Sequence, residues 1–158
     1  NLYNLLRCLK ELPDYQLVVI GNGKAYKNKC LDLINENKMN DRIKILSNLS
    51  LKEMAAIYQQ ADIMIYPSFF EGFGIPILES LFCGVPVITS QGGCFAEPGG
   101  KHSSYINPND IEQMKSEILE ISTNISRREK MIEEGKKHAQ NFIDDKIAER
   151  LMNLYQNI

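Results

Sequence analysis

Two carboxylates stand out for where they are placed. The stretch FFEGFGIPILES, residues 69–80, carries Glu71 in a glycine-rich turn and Glu79 in an apolar segment. From Gly72 to Ala96 the only formally charged side chain is Glu79. An unpaired carboxylate among Ile77, Leu78, Leu81 and Phe82 is costly and needs donors. A backbone N–H or a buried Lys or Arg would serve. So would a vicinal diol, whose two hydroxyls can donate to the two carboxylate oxygens, as a ribose does. Glu71 sits just ahead of Gly72, Phe73 and Gly74, at the start of a helix. The free N–H groups of such a turn and the helix dipole favour a phosphate or a sugar hydroxyl in front of them. Glu71 cannot bind a phosphate directly, because like charges repel, but it can accept hydrogen bonds from sugar hydroxyls.

These residues need a scaffold, and the chain reads as an alternation of strands and helices. LYNLLRCL puts Leu2, Leu5, Leu6 and Leu9 on one helical face. QLVVIG reads as a buried strand, RIKIL as a second and DIMIYPS as a third. Between them, AYKNKCLDLINENKM carries a stripe of Tyr26, Cys30, Leu33 and Ile34. The next helix has Ser50 and Glu53 in capping-box spacing, with Leu51, Met54, Ala55 and Tyr58 as its apolar face. GIPILESLFCG is a helix with Pro76 in its first turn and Gly84 at its end. PVITS is a strand and SYI a short one. Three helices follow. The first has Ile111, Met114, Ile118 and Ile121 inward, and the second is capped by Ser126 and Glu129. The third has Ile147, Leu151, Leu154, Tyr155 and Ile158 on one side. Asp144 and Asp145 read as solvated charge there.

This pattern predicts an α/β fold, a parallel sheet with helices on both faces. It also predicts a single domain over residues 1–158, with a strand expected ahead of the first helix. In such sheets ligands sit at the carboxyl ends of the strands. The loops there are GNGKAY, SNLS, PSFFEGFG and SQGGCFAEPGG. GNGKAY is neither G-x-G-x-x-G nor a P-loop, so a nicotinamide cofactor is not indicated and Gly21 and Gly23 read first as a tight turn.

Composition narrows the classes. The chain of 158 residues is 44% hydrophobic with a formal net charge of −2, so no bulk charge draws it to nucleic acid or anionic membranes. Cys8, Cys30, Cys83 and Cys94 form no C-x-x-C pair, and His102 and His138 are far apart in sequence. No zinc site or disulfide is expected, and the cysteines read as small buried hydrophobes in a reducing cytosol. No apolar run is long enough to span a bilayer, and no signal peptide is visible.

The string ADIMIYPSFFEGFGIPILESLFCGVPVITSQGG resembles the most diagnostic segment of family-4 glycosyltransferases of the GT-B architecture, including the two glutamates separated by seven residues. LVVIGNG, ILSNLSLKEMAAIYQQAD and YINPND resemble flanking segments, so the similarity covers roughly residues 1 to 140. The resemblance implies a Rossmann-like half of a GT-B enzyme that binds a nucleotide-diphospho-sugar donor. It assigns Glu71 to hydroxyls of the transferred sugar, as the catalytic position. The backbone of Gly72, Phe73, Gly74 and Ile75 goes to the sugar or distal phosphate, and Glu79 to the ribose. Leu46, Asn48 and Leu49 would border the base. Gly92 and Gly93 would lie near the diphosphate, and Gly21 and Gly23 would join the donor-binding set.

The same resemblance implies retention of anomeric configuration with no metal and no other cofactor. The acceptor, a glycan or lipid-linked sugar, would be bound by an N-terminal domain. Two diphosphate-neutralising cations of the family would lie upstream of Asn1. The place of work would be the cytoplasm, with peripheral contact at the inner face of the membrane, in synthesis of cell-envelope polysaccharide. Pro98 directly after Glu97 departs from the commoner family form, which leaves Glu97 without an assigned role. A non-catalytic nucleotide-sugar-binding subunit, half of a sugar-nucleotide epimerase and a purely structural domain are the competing readings.

Overall fold

The computed structural model describes residues 1–23 and 25–156. Helix α1 (Leu2–Leu9) leads into β1 (Leu17–Ile20), α2 (Ala25–Glu36), β2 (Ile43–Leu46) and α3 (Leu51–Gln60). Then come β3 (Met64–Tyr66), α4 (Ile75–Phe82), β4 (Val87–Ser90), the single turn α5 (Ala96–Gly99) and β5 (Ser104–Ile106). The chain closes with α6 (Ile111–Thr123), α7 (Ile125–Ala139), a 3-10 turn over Gln140–Phe142 and α8 (Asp144–Gln156). The α/β fold with parallel strands flanked by helices is as expected.

Among the described residues the ladders form two parallel sheets rather than one. β1 pairs with β2, and β4 lies between β3 and β5. Helix α1 joins them. Leu5, Cys8 and Leu9 pack into the cluster built on Ile88, Ile106, Met114, Ile118 and Ile121, while Leu6 packs with Cys30, Ile34, Met39 and Ile43 under β2. A third cluster sets Ile77, Leu78 and Leu81 of α4 against Val87, Phe95 and Ala139. Parallel strands with helical crossovers bring every following loop to one end of the sheets, so the β3–α4 and β4–α5 loops are neighbours.

Several expectations are corrected. QLVVIG is not a fully buried strand: Val18 is 44% and Ile20 38% exposed, because β1 is covered on one face only. The apolar face of α3 is only half-buried at Met54, Ala55 and Tyr58, and Leu51 is exposed at the first turn. Helix α7 starts at Ile125, before the proposed Ser126–Glu129 box. Its cap is Asn124, whose side chain accepts from the Arg127 N–H at 3.0 Å. The stripe of α8 is exposed at Ile147, Leu151, Leu154 and Tyr155, and Ile158 lies outside the described residues. Cys83 and Cys94 are half-buried, while Cys8 and Cys30 are buried as expected, and all four are free thiols. The Ser50–Glu53 capping box forms in both directions. Among the described residues no helix is long and apolar enough to cross a membrane.

Candidate functional site

The loop that bears Glu71 is held from below by strand β4. Thr89 and Ser90 are buried, yet each hydroxyl donates to a backbone carbonyl of the neighbouring segment: Thr89 to Tyr66 at 2.9 Å and Ser90 to Ser68 at 2.5 Å. Buried hydroxyls need partners, and carbonyls leaving the end of a strand need donors. The polar end of PVITS therefore fixes the start of the β3–α4 loop. The other side of the loop is tied by Cys94, whose thiol donates to the Glu71 carbonyl at 3.3 Å. That bond draws the β4–α5 loop, with Gly92 and Gly93, up to Glu71. Both glycines are exposed, with φ of 80° and 57°, a conformation that leaves their backbone open to a ligand.

Gly74 is the N-cap of α4 and has φ of 100°. A side chain there would be strained, and its Cβ would lie 3.1 Å from Ile77 Cδ1 and 3.5 Å from Pro98. Pro76 in the first turn lacks an N–H and starts the helix without wasting a donor. Gly74 and Ile75 stand where an α-helix leaves N–H groups without intrahelical acceptors. The Ile75 side chain is 62% exposed at the same corner. Gly72 is exposed with open space where a Cβ would be, and Phe73 is half-buried.

Both glutamates are half-buried, and each has a tyrosine. Tyr66, the last residue of β3, donates its phenol to Glu71 Oε1 at 2.8 Å. Tyr58, on α3, donates to Glu79 Oε2 at 3.2 Å. Burial and then the hydrogen bond to Glu71 push the Tyr66 phenol up to about 12. Burial and the charge of Glu79 push Tyr58 up as well. Both phenols therefore stay protonated at neutral pH. Glu79 is thus not fully buried on α4, and among the described residues its donor is a phenol rather than a backbone N–H, a Lys or an Arg.

The sequence does not mark Tyr58 and Tyr66 as site residues. Tyr58 reads as apolar helix face and Tyr66 as strand end. The available signal was that a half-buried phenol needs an acceptor and a half-buried carboxylate needs a donor.

The remaining candidates are placed less closely. Leu46 ends β2 and is half-buried, Asn48 is exposed with φ of 58°, and Leu49 is half-buried just before the α3 cap. The Gly21 N–H donates to the Leu46 carbonyl at 2.9 Å, so the ends of β1 and β2 are joined. Gly21 and Gly23 border a small cleft of about 200 Å3 with Val19, Tyr26 and Ile45. Among the described residues no hydrogen bond links either glycine to Glu71 or Glu79. Glu97 is exposed on α5, and its carbonyl lies 2.8 Å from His138 Nε2. A larger cleft of about 820 Å3, lined by Glu97, Lys101, His138, Phe142 and Arg150 but by neither glutamate, opens between α5, α7 and α8. Among the described residues no group of three or more His, Cys, Asp or Glu could hold a metal ion.

The model of the family described as "Glycosyl transferases group 1" matches residues 1–138. The O-antigen chain mannosyltransferase B of Escherichia coli is 29% identical over 161 residues, covering 99% of this chain and 42% of that protein. The O-antigen chain mannosyltransferase RfbU of Salmonella typhimurium is 29% identical over 77% of this chain and 35% of that protein. Among solved structures, the Anabaena HepE protein in complex with UDP-glucose superimposes with a TM-score of 0.86 at 17% identity, over 98% of this chain and 44% of that one. That likeness shows the fold, the α/β architecture of GT-B glycosyltransferase structures. The chain spans less than half the length of these relatives.

Proposed function

Because the chain belongs to the family of glycosyl transferases group 1, we propose that residues 1–158 are the donor-binding domain of a retaining, metal-independent glycosyltransferase. The donor is a nucleoside-diphosphate sugar. The observation that carries this reading is the pair of half-buried carboxylates on either side of the α4 N-terminus. Glu71 is held from β3 and Glu79 from α3. The spacing of the family-4 pattern and the UDP-glucose bound to a protein of the same fold support it.

In this reading Glu71 accepts hydroxyls of the transferred sugar, and the Gly72–Ile75 backbone meets the sugar or distal phosphate. Glu79 accepts from the ribose. Gly92 and Gly93 approach the diphosphate, and the Leu46–Leu49 segment borders the base, with Gly21 and Gly23 at its edge. The leaving diphosphate takes the acceptor proton on the face it departs from. The protein then supplies position and charge stabilisation rather than a strong base. Neither glutamate acts as a glycosidase acid or base, since such a pair must flank one anomeric carbon.

The acceptor is a glycan or lipid-linked sugar bound outside this chain. The work is done in the cytoplasm, at the inner face of the membrane, and the O-antigen relatives favour cell-envelope polysaccharide as the product. The test is thermal stabilisation of the intact protein by UDP-, GDP- and ADP-sugars. A ligand that binds only the folded state at about 100 times its Kd adds about 2.7 kcal/mol. A rise in Tm with one nucleotide class, lost in the Glu79→Gln variant, supports the reading. No rise with any of them at millimolar concentration contradicts it.

A further inference from the structure

The two tyrosines deepen that reading and rest on it. Each meets its glutamate from a different element. Tyr66 is fixed from β4: its backbone is in register with Thr89 in the β3–β4 ladder, and its carbonyl accepts the Thr89 hydroxyl. Its phenol then reaches Glu71 five residues later, across the open loop. Glu71 has three side-chain torsions and no regular structure around it. Without an anchor its carboxylate would sample several rotamers. Tyr58 lies in the last turns of α3, and its carbonyl receives the Ala61 N–H that ends the helix. Its phenol reaches across to Glu79 on α4.

We propose that Tyr66 and Tyr58 are positioning residues, each pinning one oxygen of its glutamate so that the other oxygen faces the ligand in a fixed direction. The chemistry follows from the donor count. A phenol has one proton, and here it is given to a carboxylate. What remains toward the ligand is acceptor capacity only, from the phenolic oxygen and the second carboxylate oxygen. Each pair therefore selects a group that donates. On the Glu71 side that is a sugar hydroxyl, and on the Glu79 side a ribose hydroxyl. A second carboxylate or a phosphate at either point is repelled. Because burial and the neighbouring carboxylate hold both phenols protonated, the arrangement does not change across the neutral range.

The experiment is a pair of double-mutant cycles in the intact protein, with UDP-glucose, UDP-N-acetylglucosamine and GDP-mannose as donors. Single variants are Y66F, E71Q, Y58F and E79Q, with Y66F/E71Q and Y58F/E79Q as the doubles. A hydrogen bond to a charged group predicts that Y66F lowers kcat about tenfold, with the Kd for the free nucleoside diphosphate unchanged. Y58F raises the donor Kd about tenfold and leaves kcat alone. In each double variant the tyrosine change adds nothing to the glutamate change, because its effect runs through that carboxylate. A tyrosine acting only on packing would give additive losses in the double and a lower Tm without the split between kcat and Kd.

The two cycles stand on separate elements, so one remains decisive if a variant of the other fails to fold. If E71Q and E79Q are impaired while Y66F and Y58F are silent or additive, the positioning role is overturned and the donor site survives. If E71Q and E79Q are themselves silent, the donor site falls and the positioning role falls with it.

Discussion

The ring of Phe73, in the loop between Glu71 and α4, lies 5.8 Å from the ring of Phe142 at a tilt of 59°. Phe142 belongs to the 3-10 turn after α7 and also meets the edge of His138, at 5.3 Å. His138 in turn is bonded to the Glu97 carbonyl on α5. A segment some 70 residues later in sequence thus braces the candidate donor loop. An aromatic pair of this kind is worth about 0.5–1.5 kcal/mol beyond its buried area. Phe142→Ala should therefore weaken donor binding several-fold, and Phe142→Leu, which keeps apolar volume, less. Calorimetric donor titration checks it. Equal donor affinity in all three proteins would show that the brace does not reach the site.

The N-cap at Gly74 predicts a contrast with its neighbour. Gly74→Ala places a Cβ in a left-handed conformation and against Ile77, at a cost of roughly 1–3 kcal/mol. Gly72→Ala meets open space at an ordinary φ and should change stability by less than about 0.5 kcal/mol. Urea unfolding of the two variants measures the difference. Equal midpoints would contradict the cap geometry.

Alkaline pH offers a second check on Tyr66. Its phenol ionises near 10 when unfolded and near 12 when folded. Between those values the unfolded chain has lost the proton and the native one keeps it, so stability falls as pH rises. Below about pH 10 this contribution is fully present. Y66F removes the group and should make the stability curve flatter between pH 10 and 12 than in the unsubstituted protein. Parallel slopes would place the phenol in an unperturbed environment.

The caps show where sequence reading succeeds and where it slips. Ser50 and Glu53 are readable because the box is local, needing only residues within one turn. The α7 start is displaced by two residues because Asn124 and Ser126 are both capable caps, and tertiary placement chooses between them. α6 ends at Thr123, so the chain turns at Asn124 and the next helix begins at once. Asn124→Ala should cost about 1 kcal/mol, and Ser126→Ala less than about 0.5 kcal/mol. Thermal unfolding of both variants decides it, and the reverse order would restore the sequence reading.

The site follows the same division. The glycines and glutamates of FFEGFGIPILES stand out because their spacing is local and their chemistry is unusual in an apolar run. Tyr58, Tyr66, Thr89, Ser90 and Cys94 do not. Their bonds to the loop and the glutamates join residues that are mostly 21 to 23 positions apart, and which pairs meet depends on strand register. The uncovered face of β1 escapes for a related reason. Four apolar residues in a row do not reveal which face another layer will cover.

The central claim is that Glu71 orients the sugar at the reacting centre, and Glu71→Ala tests it most directly when turnover, product affinity and Tm are measured on one preparation of the intact protein. Glu71 is half-buried in a loop, so its truncation should disturb folding little. In the proposed reaction the nucleoside diphosphate product carries no transferred sugar, so its affinity should stay within about twofold, while kcat falls by about 10- to 100-fold, the size of a lost hydrogen bond to a charged group. Turnover per folded molecule equal to that of the unsubstituted protein, or a loss matched wholly by unfolding, would remove Glu71 from the site.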